Sequence, residues 1–517
     1  MKGDTLQILV SMIIYMTVVV GIGLYYAKRA NESSENYFLG GRSLSPLVTA
    51  MSAEASDMSG WLLMGLPGVA YWYGLSDAIW TAIGLAAGTY LNWLFIAKRL
   101  HNYSVVAGNS ITLPDFFSNR FKEKNKIIMT ISAVFILVFF TVYAASCFVT
   151  VGKLFNALFG FRYQYMMILG AAFVLFYTYI GGFLAETASD TMQAFVMIIA
   201  LVTILVIGTN TAGGIAQVSQ NAKSIPGFFE FFGIASPKVA DGAQQVVNGV
   251  PQFNAAGEYG LYTILSTLAW GLGYFGMPQV LLRFMAIRNP DELKTSRRIA
   301  TVWVVISLGA AVAIGIIGRT LFPIELLTYS ESESIFIVLS SNLLPALLAG
   351  FVMAGVLAAT ISSSDSYLLI AASAFSKNIY QHLIKKDATD KQVMNISRVI
   401  LVVISIIGIF IAMDEKSVIF TIVSFAWAGF GATFGPITIF SLFWKRTTRE
   451  GAIAGMLSGG IMVFIWKLIL KPMGGLFGVY ELLPAFIVSC IFIYAVSKMT
   501  AEPSKEIQQE FEMVKKQ

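Results

Sequence analysis

Residues 52–68 read SAEASDMSGWLLMGLPG, and they interrupt an apolar stretch long enough to cross a bilayer. A segment built only to span lipid would be leucine, isoleucine and valine throughout. This one carries Glu54, Asp57, small and hydroxyl residues before Trp61, and Gly65–Leu66–Pro67–Gly68 at its far end. An ionised carboxylate near the middle of a membrane costs at least about 2.5–3.5 kcal/mol on the insertion scale, so an intramembrane acid reads as functional by default. Asp57 is the first candidate.

The rest of the chain supports a membrane setting. Its 517 residues are 56% hydrophobic and only 12% charged, with mean hydropathy +0.72, whereas soluble domains are about 25% charged. A soluble fold is excluded. The two cysteines, Cys147 and Cys490, sit in separate apolar runs, which argues against a disulfide framework or a metal cluster. The opening MKGDTLQILV lacks the basic region and cleavage site of a signal peptide, so the first apolar run is expected to stay as a helix.

About thirteen stretches approach or exceed the ~20 residues a crossing needs. They run from 6–27 to 477–498 and include 45–72 (the second), 257–286 (the seventh) and 335–376 (the ninth). With the N-terminus outside and the C-terminus cytoplasmic, roughly 25 of the Lys and Arg residues fall on the inner side, as the positive-inside rule requires. Their clusters are Lys28–Arg29, Lys98–Arg99, Arg120 to Lys126, Arg288 to Arg298, Lys377 to Lys391, Lys445–Arg446 and the tail. The net charge of +6 is therefore topology, and no nucleic-acid partner is expected.

Several connecting segments carry expectations of their own. ITLPDFFSNRF at 111–121 suits a short surface helix, and His101 and His382 fall in inner loops. The outer segment 211–256 is too long for a plain connection and is either functional or ordered against the surface. The ninth stretch begins with a short outer helix, and the tail AEPSKEIQQEFEMVKKQ forms a frayed inner one. There is no HExxH, nucleophile elbow or Walker-type loop, so neither an enzyme nor an ATP-driven pump is expected.

The second and seventh stretches share one property: each is interrupted near its middle, the seventh by AWGLGYFGMP at 269–278. Five crossings separate their starts, so they run in opposite directions. Paired interruptions of this kind point to an inverted-repeat transporter with a binding site at the midplane. In the ninth stretch, Ala359, Ser362 and Ser363 stand at i, i+3 and i+4 and share a helix face. Two hydroxyls and a carbonyl facing the unwound carbonyls of Ala55 and Met58 would make an oxygen cage, which suits a hard cation. Small hydroxyl residues also serve close helix packing, and both readings stay open. Trp61, Trp270 and Tyr274 flank the interruptions and Tyr143 follows a phenylalanine-rich stretch; such faces suit a small ring or cationic nitrogen, or plain core packing.

At these residues the chain resembles the solute:sodium symporter family, in particular its proline-transporting branch. SAEASDMSGWLLMGLPG and AWGLGYFGMPQVLLRFMA at 269–286 carry the resemblance, with YFLGGRSL at 37–44 and WAGFGATFGPITIFSLFW at 427–444. It implies an all-α polytopic membrane protein of the leucine-transporter type, with two inverted five-helix repeats. The expected divisions are 1–44 (extra helix and inner loop), 45–210 (first repeat), 211–256 (outer loop), 257–444 (second repeat) and 445–517 (two further helices and tail). It implies import of L-proline coupled to inward sodium flow across the bacterial inner membrane, with sodium as co-transported substrate and no cofactor. The alternative is sodium- or proton-coupled uptake of another small solute such as a sugar, pantothenate or a carboxylate. Oligomeric state is not fixed by the sequence.

The resemblance also assigns roles. Sodium would lie on Ala55, Met58, Ala359, Ser362 and Ser363, where the family often has threonine at the last position. Proline would lie on Trp61, Gly65, Tyr143, Trp270, Tyr274 and Pro278. Asp57 and Ser59 match residues tied to coupling, Arg42 an inner-side residue important for turnover, and Asp190 an acid of the inner sodium pathway. Asp365 and Ser366 share a face with Ser362. Together with Asp190 they form either a second cation or exit site, or part of an inner water-filled vestibule.

Overall fold

The structure is a computed structural model describing residues 3–30 and 32–516. The side chains of Lys28 and Arg29, one of the expected basic clusters, lie outside the described residues. Among the described residues, ten helices are long and apolar enough to cross a membrane. Three other expected crossings are not in that set. Two of them, 45–72 and 257–286, are broken into short helices, and 163–182 runs into its successor.

The helices that position the site are α1 (Gly3–Ala30), α2 (Pro46–Asp57), α3 (Leu66–Tyr73), α4 (Leu75–Leu91, continuing to Val106), α5 (Leu113–Arg120), α6 (Ile127–Phe159) and α7 (Tyr163–Thr211). After the outer segment come α8 (Leu261–Leu268), α9 (Pro278–Ala286), α10 (Leu293–Leu321), α11 (Ile335–Leu343), α12 (Ala346–Ser373), α13 (Asp390–Ile411) and α14 (Ile419–Phe443). Then follow α15 (Arg449–Ile465), α16 (Leu482–Met499) and α17 (Lys505–Lys516). α7 is two crossings joined at Gly182, whose φ of +64° and ψ of −178° is a conformation that only glycine adopts without strain.

Both broken crossings follow from local chemistry. Ser45 caps α2 by accepting from the Val48 amide, with Pro46 at the first helical position. The run Ser56–Asp57–Met58–Ser59–Gly60 holds poor helix formers, and Met58, at φ −84° and ψ 77°, leaves the helix. A wide turn over Trp61–Gly65 leads into α3. In the seventh crossing, α8 tightens into a 3-10 stretch over Ala269–Gly276, and Met277 is extended because it precedes a proline. Gly271 is required there by close approach: a Cβ on it would meet the Gly84 carbonyl of α4 at 2.2 Å.

A parallel backbone bridge joins Leu44, just before α2, to Ile287, just after α9. The start of one broken crossing therefore lies beside the end of the other, and the two run oppositely. α12 and α14 are the most buried of the long apolar helices, 78% of each apolar window against 22% for α1. α12 packs on α1, the broken α2, α6 and α7.

Four connecting segments depart from expectation or sharpen it. α5 is not a surface helix, because Phe116, Phe117 and Arg120 are wholly buried. His101 belongs to the continuation of α4 rather than a loop, with Nδ1 3.1 Å from the Phe284 carbonyl. The tail is docked rather than frayed: Ile507, Phe511 and Val514, on one face of α17, are buried. Residues 211–256 are ordered, with a short helix and small hairpins pinned to the end of α10 and the segment after it through Arg319–Gln244 and Gln244–Leu327 contacts.

Candidate functional site

The carboxyl end of α2 is the meeting point. Its last carbonyls have no continuing helix to donate to them, and a helix carboxyl end carries partial negative charge. Ser362 Oγ of α12 lies 2.8 Å from the Ala55 carbonyl, and Ser363 Oγ donates to the same oxygen at 3.3 Å. Ser362 Oγ is also 2.8 Å from the Ala358 carbonyl and 3.3 Å from that of Ala359. One hydroxyl proton cannot serve three acceptors. When it turns to Ala358, within its own helix, the Ser362 lone pairs and the Ala55 carbonyl are left facing each other. Ala55, Ala359, Ser362 and Ser363 are all wholly buried. The structure thus brings them together, with Met58 following as the first non-helical residue.

Asp57 points elsewhere, toward the other broken crossing. Its carboxylate accepts from Tyr274 Oη at 2.8 Å and Gln279 Nε2 at 3.1 Å. Its backbone carbonyl accepts from Trp61 Nε1 at 3.1 Å, Tyr143 Oη at 3.4 Å and Tyr367 Oη at 3.5 Å. Trp61, Tyr143 and Tyr274 therefore converge on one residue. Ser59 lies in the break itself, where its carbonyl accepts from the Leu62 amide.

The remaining aromatic candidate belongs to an outer layer. Trp270 stacks on Tyr480 (4.9 Å between centroids) and tilts against Phe420 (5.0 Å), and its carbonyl accepts from Trp427 Nε1 at 2.8 Å. Gly65 faces that same Phe420, whose Cβ would lie 3.4 Å from a Cβ at this position. Pro278 opens α9 and faces away from the aromatics: it lines a small crevice with Thr112, Leu113, Leu282 and Ile370.

Both sides of this centre are closed. At one end of the bundle, Glu333, wholly buried, accepts from Lys153 Nζ at 2.7 Å and from the Ile419 and Phe420 amides at 2.9 Å each. It thereby caps α14 and ties it to α6. At the other end, the Arg42 guanidinium donates to the Met285 carbonyl (2.6 Å), the Ser110 carbonyl (2.8 Å), Ser104 Oγ (3.1 Å) and Asn109 Oδ1 (3.1 Å). Arg42 clasps the end of α9 to the loop after α4. Burial pushes its pKa below the usual arginine range, with Glu35 opposing.

The expected second group is held together by residues the sequence reading passed over. Arg283 of α9 donates to Asp190 Oδ2 at 3.3 Å, Ser366 Oγ at 2.9 Å and Ser52 Oγ at 3.0 Å, and pairs closely with Glu186. Ser366 Oγ donates to Glu186 Oε1 at 2.5 Å and lies 3.0 Å from the Ser362 carbonyl. Asp365 Oδ1 accepts from the Ser366 amide. Asp190 and Ser366 thus meet through Arg283 and Glu186, one helical turn from the serine cage. Arg283 and Glu186 sit in apolar surroundings, VLLRFM and FLAETA, so the reasoning that singled out Asp57 applies to them equally. Tyr367 shared the face of Ser363 at i+4. Gln279 and Trp427 carried no such signal.

The arrangement agrees with what the chain is similar to. The family description "Sodium:solute symporter family" matches residues 37–459. Sodium/proline symporter 2 of Staphylococcus saprophyticus is 39% identical over 515 residues, covering 98% of this chain and 96% of that protein. The sodium/proline symporter of Staphylococcus aureus strain USA300 is 38% identical with the same coverage. Among solved structures, a sodium-coupled sialic acid symporter, substrate-bound and outward-open, superposes with a TM-score of 0.75 at 16% identity, covering 96% of this chain and 99% of that one. Mhp1, a nucleobase-cation-symport-1 family transporter in a closed conformation, gives 0.54 at 12% identity, covering 92% and 98%. At such identities the structures bear on fold alone, and that fold is of the leucine-transporter type. The curated relatives are transporters by name, and the long apolar helices make this a multi-pass membrane protein. The chain belongs to the sodium:solute symporter family.

Proposed function

We propose that this protein imports L-proline together with sodium by alternating access, using no cofactor. The observation that carries the reading is the convergence of the Ser362 and Ser363 hydroxyls on the Ala55 carbonyl, at 2.8 and 3.3 Å. A sodium ion arriving from outside takes the place of these hydrogen bonds. The hydroxyl protons turn away, and the ion is held by Ala55, Met58 and Ala359 carbonyls with both serine oxygens. Its binding fixes the end of α2 against α12. That in turn sets Asp57, which aligns the Tyr274 side of the other broken crossing.

Proline lies with its ring on the aromatic faces of Trp61, Tyr143 and Tyr274, with Gly65 and Trp270 bounding that position on one side and Pro278 on the other. The half-helix that starts after Gly60 presents its amide end, which favours an anionic group such as an amino-acid carboxylate. Both ligands bind the closed arrangement better than the open ones, so each tightens the other. Arg42 holds the inner side shut until both are in place, and Asp190, Asp365 and Ser366 lie on the inner exit route. We place the two repeats at 45–210 and 257–444, joined by the outer segment 211–256 and flanked by 1–44 and 445–517. The N-terminus is outside and the C-terminus cytoplasmic, in the bacterial inner membrane.

One sodium moving through about 100 mV supplies ~2.3 kcal/mol. A tenfold gradient adds ~1.4 kcal/mol, enough together for accumulation of about several hundred-fold. The test is uptake of labelled proline into proteoliposomes under an imposed sodium gradient. Accumulation that needs sodium supports the reading. Uptake that survives sodium removal and follows pH refutes it in favour of proton coupling, and uptake of another solute alone refutes the substrate.

A further inference from the structure

The group around Arg283 is unbalanced. Glu186, Asp190 and Asp365 are 2%, 0% and 1% exposed, and among the described residues Glu186 and Asp190 pair with Arg283, itself 0% exposed, while Asp365 accepts only from the Ser366 amide. Among the described residues, Glu186 Oε2, Asp190 Oδ1 and Asp365 Oδ2 have no hydrogen-bond partner. A pocket with an excess of carboxylate oxygens and the Ser52 and Ser366 hydroxyls is the environment a hard cation seeks. Yet the described acids do not converge on a common point as metal ligands would. Glu186 and Asp190 bind a guanidinium instead, and Asp365 Oδ2 is left unpaired among the described residues.

That guanidinium is a cation that cannot leave. Arginine stays protonated in proteins and presents five donors in a fixed fork. Its nitrogens here reach Glu186, Asp190 Oδ2, Ser366 Oγ, Ser52 Oγ and the Gln279 carbonyl. A free ion entering the same place must displace these bonds and surrender its translational freedom, which the tethered group has already lost. Glu186 matters as the anchor, since it takes both the guanidinium and the Ser366 hydroxyl on one oxygen.

We propose that Arg283, held by Glu186, is a built-in cation that fills the position in which Asp190, Asp365 and Ser366 would otherwise take a second transported ion. Arg283 is a positioning residue that sets the number of sodium ions moved per solute. This inference rests on the sodium-coupled reading above.

The experiment measures labelled-sodium and labelled-proline fluxes in the same proteoliposomes, with equilibrium sodium binding to the purified full chain. Wild type is expected to move about one sodium per proline with a Hill coefficient near one, and Arg283→Met to bind about two with a coefficient rising toward two. Arg283→Lys keeps the charge and is expected to keep the wild-type ratio, which a purely structural role would not distinguish. If Arg283→Met does not yield folded protein, the paired change Glu186→Gln with Arg283→Gln removes one charge of each sign, and it is expected to raise the ratio in the same way. A wild-type ratio of two, or a folded Arg283→Met or paired variant that binds no additional sodium, overturns the inference. Wild type without any sodium-driven uptake overturns the symport reading and this inference with it.

Discussion

Replacing Asp57 with Asn keeps the side chain's shape while removing its charge and turning one acceptor oxygen into a donor. The carboxylate accepts from Tyr274 and Gln279 at 2.8 and 3.1 Å in a wholly buried setting. Hydrogen bonds to a charged group contribute ~1.5–3 kcal/mol and neutral ones ~0.5–1.5, so Asp57→Asn weakens the two together by about 2 kcal/mol. The amide of Gln279 can turn to face the new group, which keeps the loss from growing further. Since these bonds join the two broken crossings, the loss falls on the closed arrangement that both ligands prefer. About 2 kcal/mol corresponds to a factor of roughly 30. Half-saturation for sodium and KM for proline should therefore rise together by about that factor, since coupling is reciprocal. Asp57→Ala strands two buried donors at ~1–3 kcal/mol each and should be worse. The assay is initial uptake rate in proteoliposomes across a sodium titration. Changes under about threefold in both constants, with Ala no worse than Asn, would refute the argument.

Other consequences follow from the closed sides. Arg42→Lys loses the fork that grips Met285, Ser110, Ser104 and Asn109 at once; turnover should fall, and a cysteine placed on α9 should label faster from the inner side. Glu333→Gln removes the charge facing buried Lys153. Breaking a buried pair costs about 3–5 kcal/mol, so Tm in detergent should drop and outer-side labelling should rise; an unchanged Tm contradicts the latch. Phe511→Ala strips the central contact of α17, where a buried Phe-to-Ala change costs about 3–5 kcal/mol. Limited proteolysis near residues 500–505 should accelerate while uptake is retained.

Much of this architecture was legible because it is written locally. Poor helix formers and a hydroxyl-rich run announced the break after Asp57, and Met277–Pro278 announced the other. Period-3.6 spacing put Ser362 and Ser363 on one face, and the structure sets that face against Ala55. What was missed lies between segments. Arg283 meets Glu186 from 97 residues away and Ser52 from 231, a pairing that no window of sequence contains. The group of Asp190, Asp365 and Ser366 accordingly read as either a second cation or exit site or part of a water-filled vestibule, when a guanidinium already stood beside it. The same holds for α5 and α17: their apolar faces were readable, but the surfaces that cover them come from distant parts of the chain. Pro278 shows another limit: it opens α9, but the crevice it lines is built by Thr112, Leu113 and Ile370 from distant parts of the chain.

The most direct measurement is equilibrium binding of labelled sodium to the purified protein, comparing wild type with the paired change Ser362→Ala and Ser363→Ala. Loss of both hydroxyls leaves the Ala55 carbonyl facing apolar groups. Removing two oxygen ligands at about 1–2 kcal/mol each predicts sodium binding weaker by roughly 30-fold or more. Saturable binding of wild-type strength by a folded paired variant would contradict the account.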